Sequence, residues 1–207
     1  MGTRGVWGFR KGGHTIAVYH HFDSYPEGLG RDFFNFVKYN EEKGYLEDMF
    51  DNIVEVGDSV KPTPEQQKYC VEMGWIKADD KASGDWYWLL HDLQEPENWQ
   101  YAVSTGKKVL VKNSIDFLIR DSLFCEYGYI YDIDKRELEF YEGFQRVPQE
   151  NNPYGCEQNE DGYYPCRLLG KIPVTKETID YIEDTDAVGW MKIQSVQYNR
   201  ERKDKEE

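Results

Sequence analysis

Metal-binding spacing, membrane-length apolar runs and basic charge are all missing or scarce in this chain. The four cysteines, Cys70, Cys125, Cys156 and Cys166, form no Cys-x-x-Cys pair, and His14, His20, His21 and His91 lie far from them in sequence. That spacing matches no recognisable zinc site, so neither a metal nor another cofactor is expected. No apolar stretch approaches the ~20 residues that a membrane span needs. The opening Met1-Gly2-Thr3-Arg4-Gly5-Val6-Trp7 has no apolar segment of the signal-peptide kind. Val6 also stands where a myristoylation pattern requires Ser or Thr. A cytoplasmic protein with four free thiols is the expectation, although Cys156 and Cys166 flank one loop and could approach each other.

Lys and Arg number 25 against 39 Asp and Glu, a formal net charge of −14. Clusters such as Glu41–Glu42 and Glu183–Asp184–Asp186 repel phosphate backbones, and nucleic-acid binding needs a basic footprint that is not found here. The partners left open are a small-molecule ligand or another protein, with no nucleic acid and no membrane. The sequence does not fix the oligomeric state.

Aromatic residues, by contrast, are dense: sixteen Tyr, ten Phe and six Trp in 207 residues. Rings bury large areas per side chain, so a modest aliphatic content still builds a core. One α+β domain over residues 1–198 is expected, followed by a charged, frayed tail at 199–207.

Val6 to Arg10 and Thr15 to Phe22 read as a β-hairpin turning at Lys11-Gly12-Gly13. A helix from about Asp32 carries Phe33, Phe34 and Val37 and ends at Gly44. Leu46, Met49, Phe50, Ile53 and Val54 recur at helical spacing and predict a second helix. Thr63-Pro64-Glu65-Gln66 is a capping box for a third, with Gly74 at its end. A fourth is expected from Asp85 to about Gln94, with Trp88 opposite its apolar stripe, and a short one near 97–103. Alternation from Cys125 to Ile133, the turn Asp134-Lys135-Arg136 and the run Glu137 to Tyr141 predict a second hairpin. Arg167 to Val174 reads as a strand, and Thr175 caps a last helix carrying Ile179 and Ile182. This order predicts a largely antiparallel sheet from two hairpins, with helices packed on one face.

Reactive side chains concentrate at the N-terminus. Thr3, His21 and Asp23 are the candidate catalytic groups. Arg4, Ser24, Tyr25, Glu27 and Gly28 are the candidate ligand contacts. A strand end followed by a Gly- and Pro-containing loop is where a rigid sheet positions a site. His21 and Asp23 share strand parity if the strand persists, so imidazole and carboxylate would face one side. The plain alternative makes Asp23 and Ser24 turn residues bonded to nearby backbone.

Two resemblances bear on this region. The stretches Met1-Gly2-Thr3-Arg4-Gly5 and His21-Phe22-Asp23-Ser24-Tyr25-Pro26-Glu27-Gly28-Leu29-Gly30 resemble a family of functionally uncharacterised bacterial, phage and fungal proteins. Parts of 126–144 and 162–165 are similar to it as well. More distantly, Thr3-Arg4 on a first strand and Asp23 after the second resemble N-terminal-nucleophile hydrolases of the choloylglycine and penicillin acylase type. That likeness implies an acyl or amide hydrolase led by Thr3 or His21 with Asp23. It departs from the pattern in one respect: removing Met1 exposes Gly2, not a nucleophile. The expected function is a small-molecule-binding domain at the first hairpin and the 23–30 loop, with hydrolysis as its catalytic form. The alternative is a non-enzymatic interaction protein, phage- or defence-associated, working through an acidic and aromatic surface.

Overall fold

The computed structural model describes residues 2–57, 59–76 and 84–206, with backbone alone for 202–206. Met1 and Glu207, which belong to the N-terminal stretch and the tail discussed above, lie outside the described residues.

Two hairpins supply most of the main sheet. Strands β1 (Gly5–Lys11) and β2 (His14–His20) turn at Gly12 and Gly13, and β5 (Tyr127–Asp132) and β6 (Glu137–Glu142) turn at 133–136. β7 (Arg167–Pro173) completes the order β2-β1-β5-β6-β7. Three of the four pairings are antiparallel, but β1 runs parallel to β5, with Trp7 opposite Tyr129. The sheet is therefore mixed, since the two hairpins meet through like-directed strands. A second sheet pairs β3 (Ile53–Val56) in parallel with β4 (Val109–Lys112).

Both faces of the main sheet are buried. Trp7, Phe9, Val18, Tyr129, Tyr131 and Phe140 pack with Phe33, Phe34 and Val37 of α1 (Arg31–Lys43) in the larger core. Val6, Ala17, Ile130 and Tyr141 pack on the other face with Leu118 of α6 (Ile115–Arg120). The expected one-sided cover is thus corrected: the alternate residues of β1 and β5 are apolar too, and each set has its own layer.

Gly44 ends α1 in the left-handed conformation (φ 71°), which only glycine adopts without strain. The second predicted helix is shorter than its spacing suggested. α2 stops at Asp51 (Leu46–Asp51), and Ile53 and Val54 enter β3. These β-branched residues gain strand partners in Val109 and Leu110, which local periodicity cannot show. α3 (Pro64–Glu72) has both halves of the Thr63/Gln66 capping box. The fourth helix is broken into α4 (Trp86–Leu89) and a 3-10 turn at His91–Gln94. Another 3-10 turn at Pro96–Trp99 leads into α5 (Gln100–Ser104).

The C-terminus also differs from expectation. Residues after Thr175 form hydrogen-bonded turns that bury Ile179, and the long helix α7 (Asp184–Glu206) begins later and includes the segment read as a frayed tail. Met191 within it is fully buried, and Asn199 donates a 2.9 Å hydrogen bond to Glu142, which ties the far part to β6. The four cysteines are unpaired; Cys70, Cys125 and Cys166 are buried and Cys156 is exposed. Among the described residues no helix is long and apolar enough to cross a membrane, and no cluster of metal-ligating side chains occurs.

Candidate functional site

β2 is an edge strand, so its outer rim of backbone groups must be satisfied by something other than a strand. Asn113 does part of this: its Oδ1 accepts from the Ala17 N–H at 3.0 Å, and its Nδ2 donates to the Thr15 carbonyl at 3.0 Å. The Ser114 N–H adds a 2.7 Å bond to the Ala17 carbonyl. Ala17 therefore points its backbone groups away from β1, and the antiparallel alternation directs those of Tyr19 the same way. Asn113 and Ser114 do not reach that far.

A cavity of about 370 Å³ opens there. It wraps the end of β2, with Val18 on one face and Tyr19 on the other. Trp86, Leu90, Leu93 and Trp99 line it from the helical segment, Phe117 from α6, and Leu110 and Val111 from β4. The segment is pinned by indole N–H bonds: Trp86 to the Val60 carbonyl (2.7 Å), Trp99 to that of Leu93 (2.9 Å), and Trp7 to that of Gln94 (2.6 Å). Asp85 caps α4 by accepting from the Trp88 N–H. Polar lining is sparse: His21, Gln94, Lys112 and Ser114. A smaller space of about 110 Å³ shares His21 and Gln94 and adds His91, Glu95 and Asn98.

Of the predicted site residues, Arg4 and His21 are brought together, through Tyr19. The Tyr19 hydroxyl lies 2.6 Å from His21 Nδ1, and the Arg4 guanidinium, resting over the Phe124 ring at 5.0 Å, lies close enough for its charge to act on that hydroxyl. Burial pushes the Tyr19 hydroxyl above its ordinary value, with Arg4 opposing, so it stays protonated at neutral pH. Glu126, the residue just before β5, accepts from the Arg4 backbone N–H at 3.3 Å.

The other candidates have different surroundings. β2 ends at His20, and Asp23 is exposed in the left-handed conformation (φ 52°), so the shared parity of His21 and Asp23 does not persist. Thr3 is half-buried and offers its carbonyl to the Ser24 N–H at 3.1 Å. Tyr25 is half open to solvent, and Glu27 pairs with Lys192, whose hydrogen bond holds its carboxyl below the usual range. Gly28 is glycine for a local reason: a Cβ there would lie 2.1 Å from the Asp23 carbonyl oxygen.

Ser24 is fully buried, and this places in view His20, one of the reactive side chains of the first hairpin, and Glu95, which the sequence did not distinguish. Its Oγ lies 2.9 Å from His20 Nδ1, and His20 Nε2 lies 3.2 Å from Glu95 Oε2. The His20 hydrogen bond lowers the Glu95 carboxyl. The order hydroxyl, imidazole, carboxylate is that of an activated nucleophile. Here, however, the hydroxyl is sealed beneath Gly5, whose own Cβ would meet Ser24 at 2.8 Å, and Ser24 lines neither cavity. In this arrangement the three groups tether the 23–30 loop to the segment after α4.

Comparison with protein-family models, with curated proteins and with solved structures found no match, so this geometry alone carries the functional reading.

Proposed function

We propose that the chain is a small-molecule-binding domain whose ligand, apolar over most of its surface, lies in the cavity at the outer edge of β2. The observation that carries this reading is the cavity itself. Its volume falls in the range of ligand pockets, ~300–1,000 Å³, and its wall is mostly aromatic and aliphatic with a few polar groups. The Gln94 side-chain amide borders both spaces and has no hydrogen-bond partner among the described residues, which leaves a donor and an acceptor for a ligand. The site expected at the first hairpin thus moves outward, from the 23–30 loop to the far side of His21. Turnover is not part of this proposal, because the hydroxyl with a base beside it is enclosed.

The test is saturation-transfer NMR with naphthol as a neutral aromatic probe, on the wild type and on Leu90→Trp, which fills the cavity. Binding by the wild type and its loss in the filled variant are expected. Equal signals from both proteins would contradict the reading.

A second reading, docking of a protein partner, is favoured by Trp88 (58% exposed) and Tyr87 (46% exposed), with Trp88 stacked on His91 at 6.3 Å. Aromatic side chains of this kind are enriched at interface hot spots.

A further inference from the structure

We propose that the occupant of this cavity is peptide-like: one residue of an extended, apolar peptide that adds to the free edge of β2, its N–H and C=O paired with those of Tyr19. This rests on the binding reading above and specifies the chemistry of the ligand.

The first support is where the cover of that edge stops. Asn113 lends its side-chain amide to the Thr15 carbonyl and the Ala17 N–H, and the Ser114 N–H takes the Ala17 carbonyl, as a neighbouring strand would. Tyr19 is the next residue of the same parity, so its N–H and C=O face outward as well. Neither group has a hydrogen-bond partner among the described residues. A donor and an acceptor that flank one Cα are matched by the same two groups of one residue on an added antiparallel strand, which exchanges both bonds.

The second support is the shape of the apolar wall. Successive side chains of a strand point to opposite faces, so an added strand needs room on both sides of the edge. The cavity has it. Val18 and Tyr19 line it from opposite faces of β2, with Trp86, Leu90 and Leu93 in the core on the Val18 side and Phe117 edge-on to the Tyr19 ring at 5.2 Å. Main-chain bonds then hold the peptide, and pockets for its alternate side chains select it. The Gln94 side-chain amide, also without a partner among the described residues, adds a donor and an acceptor in the cavity wall. Charge narrows the choice further. With a net charge of −14, and with Asp92 and Glu95 in the adjoining space, an acidic peptide is repelled, so the segment is neutral or basic.

The experiment is an amide-resolved NMR titration with N-acetyl-naphthylalanine methylamide and with its analogue that has an ester oxygen in place of the residue's N–H. Both carry the ring of naphthol. The amide is expected to bind about tenfold more tightly than the ester, the scale of one hydrogen bond left unmade at a site built for it. It should also move the Tyr19 amide proton downfield and slow its hydrogen exchange. Tyr19→Pro removes the outward N–H and no bond to β1, a substitution that edge strands accept, and should weaken the amide about tenfold. Tyr19→Phe, which keeps both backbone groups, should retain the preference for amide over ester. Should Tyr19→Pro fail to fold, the Tyr19 proton of the wild type decides. Equal binding of amide and ester with an unmoved Tyr19 proton would overturn the peptide proposal, and naphthol binding would leave the cavity reading standing. Failure of naphthol and of both analogues to bind would overturn both.

Discussion

Arg10 reaches from β1 to two buried carboxylates, Asp132 at 2.8 Å and Glu139 at 2.6 Å, and Tyr141 donates a further 2.6 Å bond to Glu139. Burial alone would raise both carboxyls. The Arg10 hydrogen bonds, with Tyr141 and Lys171 at Glu139 and the Lys135 N–H at Asp132, outweigh it and hold both below the ordinary carboxylate range. The native state therefore binds fewer protons than the unfolded chain in acid. This contribution to stability is complete above about pH 4–5 and is lost as pH falls through the lowered folded values. Arg10→Met should cost about 3–5 kcal/mol in chemical denaturation, because it removes the cation shared by two buried carboxylates and leaves only the half-exposed Lys171 and the exposed Lys135 beside them. It should also flatten the loss of stability in acid. Asp23 is the contrasting case. Asn tolerates the left-handed conformation as well as Asp does, so Asp23→Asn should shift neither melting temperature nor naphthol binding.

Elements with short-range signals were legible in the sequence; those defined by distant partners were not. The hairpins announced themselves by alternation and turn residues, α1 by its Phe–Val stripe and Gly44, and α3 by Thr63 and Gln66. Replacing Thr63 with Ala should cost about 1 kcal/mol, since an N–H of the first turn loses its acceptor. The run Leu46 to Val54 fitted a helix, yet Ile53 and Val54 belong to a parallel pair whose other strand is fifty-odd residues away. No local pattern reports such a pairing. Leu46→Ala should cost about 2–5 kcal/mol at its fully buried position, and Ile53→Ala clearly less, because Ile53 is half-buried on the core margin. A single long helix at 46–54 would make the two costs similar. α7 escaped notice because its apolar residues do not gather on one stripe: Ala187, Val188 and Met191 are buried, whereas Ile193 and Val196 are exposed.

At the scale of the whole molecule, the parallel pairing of β1 with β5 links the N-terminus to the middle of the chain, and the cavity is assembled from β2, the segment around α4, β4 and α6. His21 was legible as a site residue because it follows a strand and precedes a Gly- and Pro-containing loop. Trp86, Leu93, Phe117 and Lys112 were not, because each reads alone as ordinary core or surface, and only the fold places them around one space. The net charge of −14 acts on the molecule as a whole. Self-repulsion opposes compactness, so moderate salt should raise the melting temperature. The central claim is the location of the ligand, and a crystal structure of the chain grown with naphthol tests it most directly. The account predicts the ring between Trp86, Leu93 and Phe117. Naphthol seated beside Asp23 and Gly28, or side chains closed over an empty edge of β2, would contradict it.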